Sequence, residues 1–170
     1  AVDVYKENFG HPMHLQDLSQ VDETCELIKK YSVNMIAGGP PCQDFSIVGS
    51  RDETKGRADL TYKFAHIVCQ IKPPYFLMEN VQRVTKSHIL KDVIPSFSNA
   101  GYGRTACIMN AAYCGVPQSR DRFFLIGHQG ASHNFLLGYL KQGLAKKPLT
   151  IREYMGDQLE IDYYYRHPRT

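Results

Sequence analysis

Residues 35–46 read Met35-Ile36-Ala37-Gly38-Gly39-Pro40-Pro41-Cys42-Gln43-Asp44-Phe45-Ser46, and the reading of the chain turns on them. The apolar run Val33 to Ala37 predicts a strand, which meets two glycines, two prolines and then a cysteine. Glycine lets a backbone approach a ligand closely, because no Cβ intervenes. Proline fixes its own φ and drives the preceding residue into extended geometry. Cys42 therefore leaves the strand end on a stiff support, and in open α/β sheets such strand ends are where ligands sit. The plain alternative is a buried structural cysteine. Pro40-Pro41 before it and the polar Gln43-Asp44 after it favour a nucleophile.

On the N-terminal side, Val2, Tyr5 and Phe9 form a short helical stripe that Gly10 and Pro12 end. Asp17-Leu18-Ser19 reads as a turn, with Ser19 or Asp22 as the N-cap of a helix through Lys30. On the C-terminal side, residues 46–58 are polar and aperiodic, the pattern of a functional loop. Leu60, Phe64, Ile67, Val68 and Ile71 recur at helical spacing until Pro73-Pro74. The continuous apolar run Tyr75 to Met78 predicts a strand buried on both faces, ending in Glu79-Asn80. Ile89, Leu90, Val93, Ile94 and Phe97 mark another helix, closed by Gly101. Strands follow at Thr105 to Ala111 and Arg122 to Ile126, joined by a Gly115-Val116-Pro117-Gln118 turn. Phe135, Leu136, Leu140 and Leu144 suggest one more helix, and Thr150 to Met155 a short one. This alternation predicts an α/β fold with a mostly parallel sheet and an antiparallel edge hairpin from its last two strands.

The composition narrows the classes. At 170 residues the chain suits one domain with a real core, or part of a larger one. It is 43% hydrophobic and 22% charged, with a formal charge of +3 that permits a polyanionic partner. No apolar run approaches the eighteen or so residues of a membrane helix. Five cysteines with no C-x-x-C argue against a disulfide framework and give no support to a metal site, so a reducing cytoplasm is the expected compartment. Ala1 to Phe9 reads like the middle of a helix, which predicts a fragment.

Three strand ends thus present Cys42, Glu79-Asn80 and the Gln118-Ser119-Arg120-Asp121-Arg122 turn. A carboxyl ending a buried apolar strand is costly unless paired or used. Arg120 and Arg122 alternate, so both point to one face of an extended segment. Taken singly, the glutamate could be a cap and the arginines a solvated edge. Together with a cysteine they suit one chemistry. Addition of a thiolate to C6 of a pyrimidine makes C5 nucleophilic. It needs a proton or hydrogen bond at N3 and a positive donor near O2, where negative charge builds up. Glu79 in a dry site suits N3, arginine suits O2, and nearby positive charge would activate the thiol.

Pro41-Cys42-Gln43, Glu79-Asn80-Val81 and Gln118-Ser119-Arg120-Asp121-Arg122, in this order and spacing, resemble motifs of the cytosine-5 DNA methyltransferases. The resemblance covers roughly residues 1–128. It implies a Rossmann-like S-adenosylmethionine-dependent sheet, a double-stranded DNA partner with one flipped cytosine, and S-adenosylhomocysteine as product. It makes Cys42 the nucleophile, sets Glu79 at N3 and the amino group, and has Arg122 with Arg120 brace O2 and Glu79. Gln43 and Asn80 are supporting members of those motifs. Residues 43–58 resemble the loop that closes over the base, with Ser46 and Arg57 near its ends. Asp17 and Leu18 resemble the pair that holds the cofactor's adenine, and Pro41 and Leu60 match positions packing around it. A bacterial restriction-modification enzyme, cytoplasmic and at the nucleoid when bound to DNA, is the expectation.

The family's glycine-rich first motif and ribose-binding acid do not appear, which predicts missing N-terminal strands. Gly101-Tyr102-Gly103 follows a helix and reads as a turn. Residues 1–128 are expected to be a partial catalytic domain, and 129–170 a helical connection toward a missing target-recognition region, with Tyr164 to Arg169 as its expected start. A tRNA cytosine-5 methyltransferase of the same family, or one subunit of a split enzyme with a complementing chain, stay open. A zinc nucleobase deaminase needs P-C-x-x-C and H-x-E, and none of the seven histidines starts an H-x-E. Thymidylate synthase shares the thiolate chemistry but leaves the arginine turn unexplained.

Overall fold

The computed structural model describes residues 2–41 and 59–156. In chain order these form α1 (Val2–Asn8), α2 (Val21–Lys29), β1 (Met35–Gly38), α3 (Asp59–Ile71), β2 (Tyr75–Val81), α4 (His88–Asn99), β3 (Tyr102–Asn110), β4 (Asp121–Gln129), α5 (Leu137–Gly143) and α6 (Ile151–Met155). The sheet order is β1-β2-β4-β3. The expected hairpin is present at one edge, with β3 and β4 antiparallel from Tyr102↔Gln129 to Asn110↔Asp121. Its inner strand, β4, docks antiparallel on β2, and among the described residues only β1 and β2 run parallel. The described sheet is therefore mixed rather than mostly parallel, because the hairpin supplies both antiparallel ladders.

One face of the sheet is closed by α3 and α4. Phe76, Met78, Phe123, Leu125 and Tyr102 of the strands meet Phe64 and Val68 of α3 and Ile89, Val93 and Phe97 of α4 in one core. Phe76 stacks on Phe97 at 4.3 Å between ring centroids and meets Tyr102 edge-on at 5.0 Å. These are the offset and T-shaped arrangements that aromatic quadrupoles favour. Gly127 is required opposite, since a Cβ there would run into the Phe76 ring. A second cluster of Val21, Cys25 and Ile67 joins α2 to α3.

The sequence expected β2 to be buried on both faces. It alternates instead: Phe76, Met78 and Asn80 are buried, while Leu77, Glu79 and Val81 are half-buried and Tyr75 is exposed. The reason is that, among the described residues, α3 and α4 cover one face of the sheet. Neither Ser19 nor Asp22 caps α2. Gln20 holds that position without a side-chain bond, and Asp22 lies in the first turn. Ser87 caps α4 by accepting from Ile89 N–H at 3.0 Å, and Thr150 with Glu153 forms a capping box on α6. Gly101, at φ +93°, makes the expected turn, and Tyr102 and Gly103 already belong to β3.

Candidate active site

The parallel register of β1 on β2 pairs Gly38 with Met78, which carries the chain past the end of β1 alongside Glu79. Glycine leaves room at both positions there. A Cβ on Gly38 would strike the Phe64 ring at 2.7 Å, and one on Gly39 would crowd Glu79 Oε2 at 3.3 Å. Neighbouring residues of β2 then divide the work, because successive strand side chains point to opposite faces. Asn80, 2% exposed, turns into the core side and donates from Nδ2 to the Pro40 carbonyl at 3.3 Å. Its Oδ1 accepts from Val81 N–H at 2.8 Å. The buried amide is thus satisfied while it ties β2 to the loop that leads to Cys42.

Glu79 turns to the open face. Its Oε1 accepts from Arg122 Nε at 2.9 Å, with the carboxylate side chain 42% exposed and the arginine 23% exposed. Arg122 is opposite Val81 in the β2–β4 ladder, and Glu79 is opposite Phe124, so the pair meets diagonally on one face. Antiparallel docking of β4 makes this possible, because it brings the start of β4 to the end of β2. Arg122 is also oriented by its own strand, donating from Nη1 to the Asp121 carbonyl at 2.8 Å. The expected dry setting for Glu79 is not what this arrangement shows: the carboxylate is half-exposed and ion-paired. Arg120 is exposed, and among the described residues its guanidinium is not brought to Glu79. Its backbone carbonyl accepts from Ala111 N–H at 3.0 Å.

Cys42, Gln43, Ser46 and Arg57, with the rest of the expected closing loop, lie outside the described residues. Burial pushes the thiols of Cys25, Cys69 and Cys107 upward, so none of these is an activated nucleophile. The described cysteines are free. Among the described residues no cluster of His, Cys, Asp or Glu could hold a metal ion.

Asp17 and Leu18 occupy the turn before α2. Asp17 Oδ1 accepts from Ser19 N–H at 2.9 Å, and this bond holds its carboxyl below the usual range. Leu18 beside it is exposed. A fixed carboxylate next to an exposed apolar side chain fits an adenine, whose amino group donates and whose ring face is apolar. Leu60 is half-buried at the start of α3, and Pro41 is exposed after β1. The sequence reading missed Asn110, whose side chain organises the arginine turn; an asparagine before a turn was the available signal.

A family model for the C-5 cytosine-specific DNA methylases matches residues 1–169. The chain belongs to that family. The match runs beyond β4 through α5 and α6, whose segment is fastened to the hairpin by Leu136 N–H on Thr105 Oγ1 at 3.1 Å and Leu149 N–H on the Ala112 carbonyl at 2.8 Å. Among curated members, this methylase chain is 56% identical over 169 residues to the Type II methyltransferase M.HindV of Haemophilus influenzae, covering 99% of the chain and 56% of that protein. It is 49% identical to M.HgiDI of Herpetosiphon aurantiacus over 170 residues, covering 100% and 55% respectively. The chain thus spans about half the length of these relatives. The crystal structure of an E. coli prophage-encoded protein described as a DNA modification methyltransferase superposes with a TM-score of 0.67 at 25% identity, over 90% of this chain and 44% of that one. The S. pombe Dnmt2 methyltransferase superposes with a TM-score of 0.62 at 20% identity, over 79% and 41%. The α/β sheet is therefore the Rossmann-like fold of these methyltransferases.

Proposed function

We propose that the protein carrying this chain transfers a methyl group from S-adenosylmethionine to C5 of a flipped cytosine in double-stranded DNA. The observation that carries the proposal is the Glu79–Arg122 pair at the end of β2, beside Gly39, which precedes Cys42 by three residues in the chain. Cys42 adds to C6, and the electron pair released moves toward N3 and O2. Glu79, with Oε2 on the Gly39 side, meets N3, and Arg122 offsets the charge growing at O2. Arg120 reaches the substrate rather than Glu79. After methylation a water molecule would take the C5 proton, and the electron pair of that C–H bond would re-form the C5–C6 double bond as the Cys42–C6 bond breaks and the thiolate leaves. Asp17 and Leu18 would hold the cofactor's adenine, and the cofactor supplies the methyl group. The Type II names of the relatives support a cytoplasmic modification enzyme of a restriction-modification system.

DNA containing 5-fluorocytosine tests this directly, because fluorine cannot leave C5 and the Cys42 adduct should accumulate. The full-length protein with cofactor is expected to give a denaturation-resistant complex, and Cys42→Ser none, with cofactor binding kept. Failure of the wild type to form the complex sinks the covalent reading. Methylation of tRNA but not DNA would move the substrate to the alternative within the family.

A further inference from the structure

The connection between β3 and β4 is fastened by one side chain. Asn110 is the last residue of β3 and lies opposite Asp121, the first of β4. Its Nδ2 donates to Asp121 Oδ1 at 2.9 Å and to Ser119 Oγ at 3.3 Å, so it grips both residues flanking Arg120. Its Oδ1 accepts from Ala112 N–H at 2.9 Å, closing the near side of the same loop. Both amide hydrogens and one acceptor position are thereby used. A bonded path continues to the site, since the Asp121 carbonyl accepts from Arg122 Nη1 and Arg122 Nε meets Glu79. Ala112 is buried in this loop, while Ile108, two residues before Asn110, is 46% exposed.

We propose that Asn110 is a positioning residue for Arg120 and Arg122, and that it acts by occupying the Asp121 carboxylate. That carboxylate sits between two arginines in the chain. Released from Asn110, it no longer fixes the backbone at the start of β4 that orients Arg122, and the turn that carries Arg120 loses its anchor. This inference rests on the role proposed above for Arg122.

The test uses the full-length protein, with kcat, KM for DNA and thermal melting measured together. Asn110→Asp keeps the acceptor for Ala112 but places like charges against each other at Asp121. The expected result is a fall in kcat of about 10- to 100-fold, the scale of a small misplacement of a catalytic group. KM should change far less, and melting should stay near the wild type. Adding Asp121→Asn reverses the polarity of the bond and should recover most of kcat. An unchanged kcat in Asn110→Asp overturns the proposal, as does a loss that the second substitution does not recover. A loss that only tracks the melting temperature overturns it too. If Asn110→Asp does not fold, Asn110→Ser is measured instead: it cannot reach Asp121, so a wild-type kcat overturns the proposal and a matching loss supports it. Arg122→Ala separates the two layers. If it retains full transfer, the assigned role of Arg122 fails; if it is inactive while Asn110→Asp is normal, only Asn110 is wrong.

Discussion

Glu79 and Asn80 are neighbours in one strand and live in different environments. Asn80, with Phe76 and Met78, faces the helices α3 and α4 and is closed from solvent. Glu79, with Leu77 and Tyr75, faces the side where the described residues leave the sheet half-open. The period of two along β2 thus separates the packed face from the face that carries the proposed chemistry. The first job tolerates polarity only when it is fully satisfied, as Asn80 is by Pro40 and Val81. The second needs a polar group that stays available, and Glu79 gives one oxygen to Arg122 while the other lies toward Gly39.

If the division is real, Glu79→Gln should slow methyl transfer by about 10²- to 10⁴-fold, the usual scale for a positioned acid–base group. DNA binding and melting should be nearly unchanged, and the 5-fluorocytosine adduct should form more slowly. Adduct formation at the wild-type rate would make Glu79 structural and erase the contrast. Phe76→Ala probes the opposite face. Emptying a site packed by Phe97, Tyr102 and Gly127 should cost about 3–5 kcal/mol in denaturant unfolding. Any remaining folded protein should keep its per-molecule kcat.

Asn80→Ala lies between these extremes, because Asn80 is on the closed face yet holds the loop before Cys42. We expect about 1–3 kcal/mol of destabilisation from the orphaned Pro40 carbonyl and Val81 amide, together with a measurable fall in kcat. Destabilisation with an unchanged kcat would show that the Asn80–Pro40 bond does not position the nucleophile.

The smallest expected effect concerns a glutamate whose ion pair is purely local. Glu153 is held down to about 2 from an ordinary 4.5, first by the bond from Lys147 and then by the Thr150 N–H and hydroxyl. A lowered folded pKa gives support that is complete above 4.5 and is lost as pH falls through about 2. An NMR titration should show α6 amide shifts over that window with no change at the core. A midpoint for Glu153 near 4.5 would show that the capping box is not formed in solution.

Much of this was legible in residue order. Helical spacing from Leu60 to Ile71 and from Ile89 to Phe97 marked α3 and α4, and Pro73-Pro74 and Gly101 marked where they stop. Boundaries were less legible: β4 extends to Gln129 rather than Ile126, because pairing with both β2 and β3 continues past the apolar run. The apolar run at Tyr75 suggested two buried faces, since a short run cannot tell one helix layer from two.

Local chemistry along the chain was enough to determine which segments become helix, strand or turn. Motif spacing, a property of residue order alone, also singled out Cys42, Glu79, Arg120 and Arg122 as the proposed constellation. Which strand of the hairpin would dock on β2 was decided only by tertiary structure. Hairpin signals specify that β3 and β4 pair, but say nothing of which has the better face for β2. Burial of Phe123 and Leu125 against α3 and α4, with Gly127 making room for Phe76, selects β4. That choice, absent from any local pattern, is what sets Arg122 within hydrogen-bonding distance of Glu79.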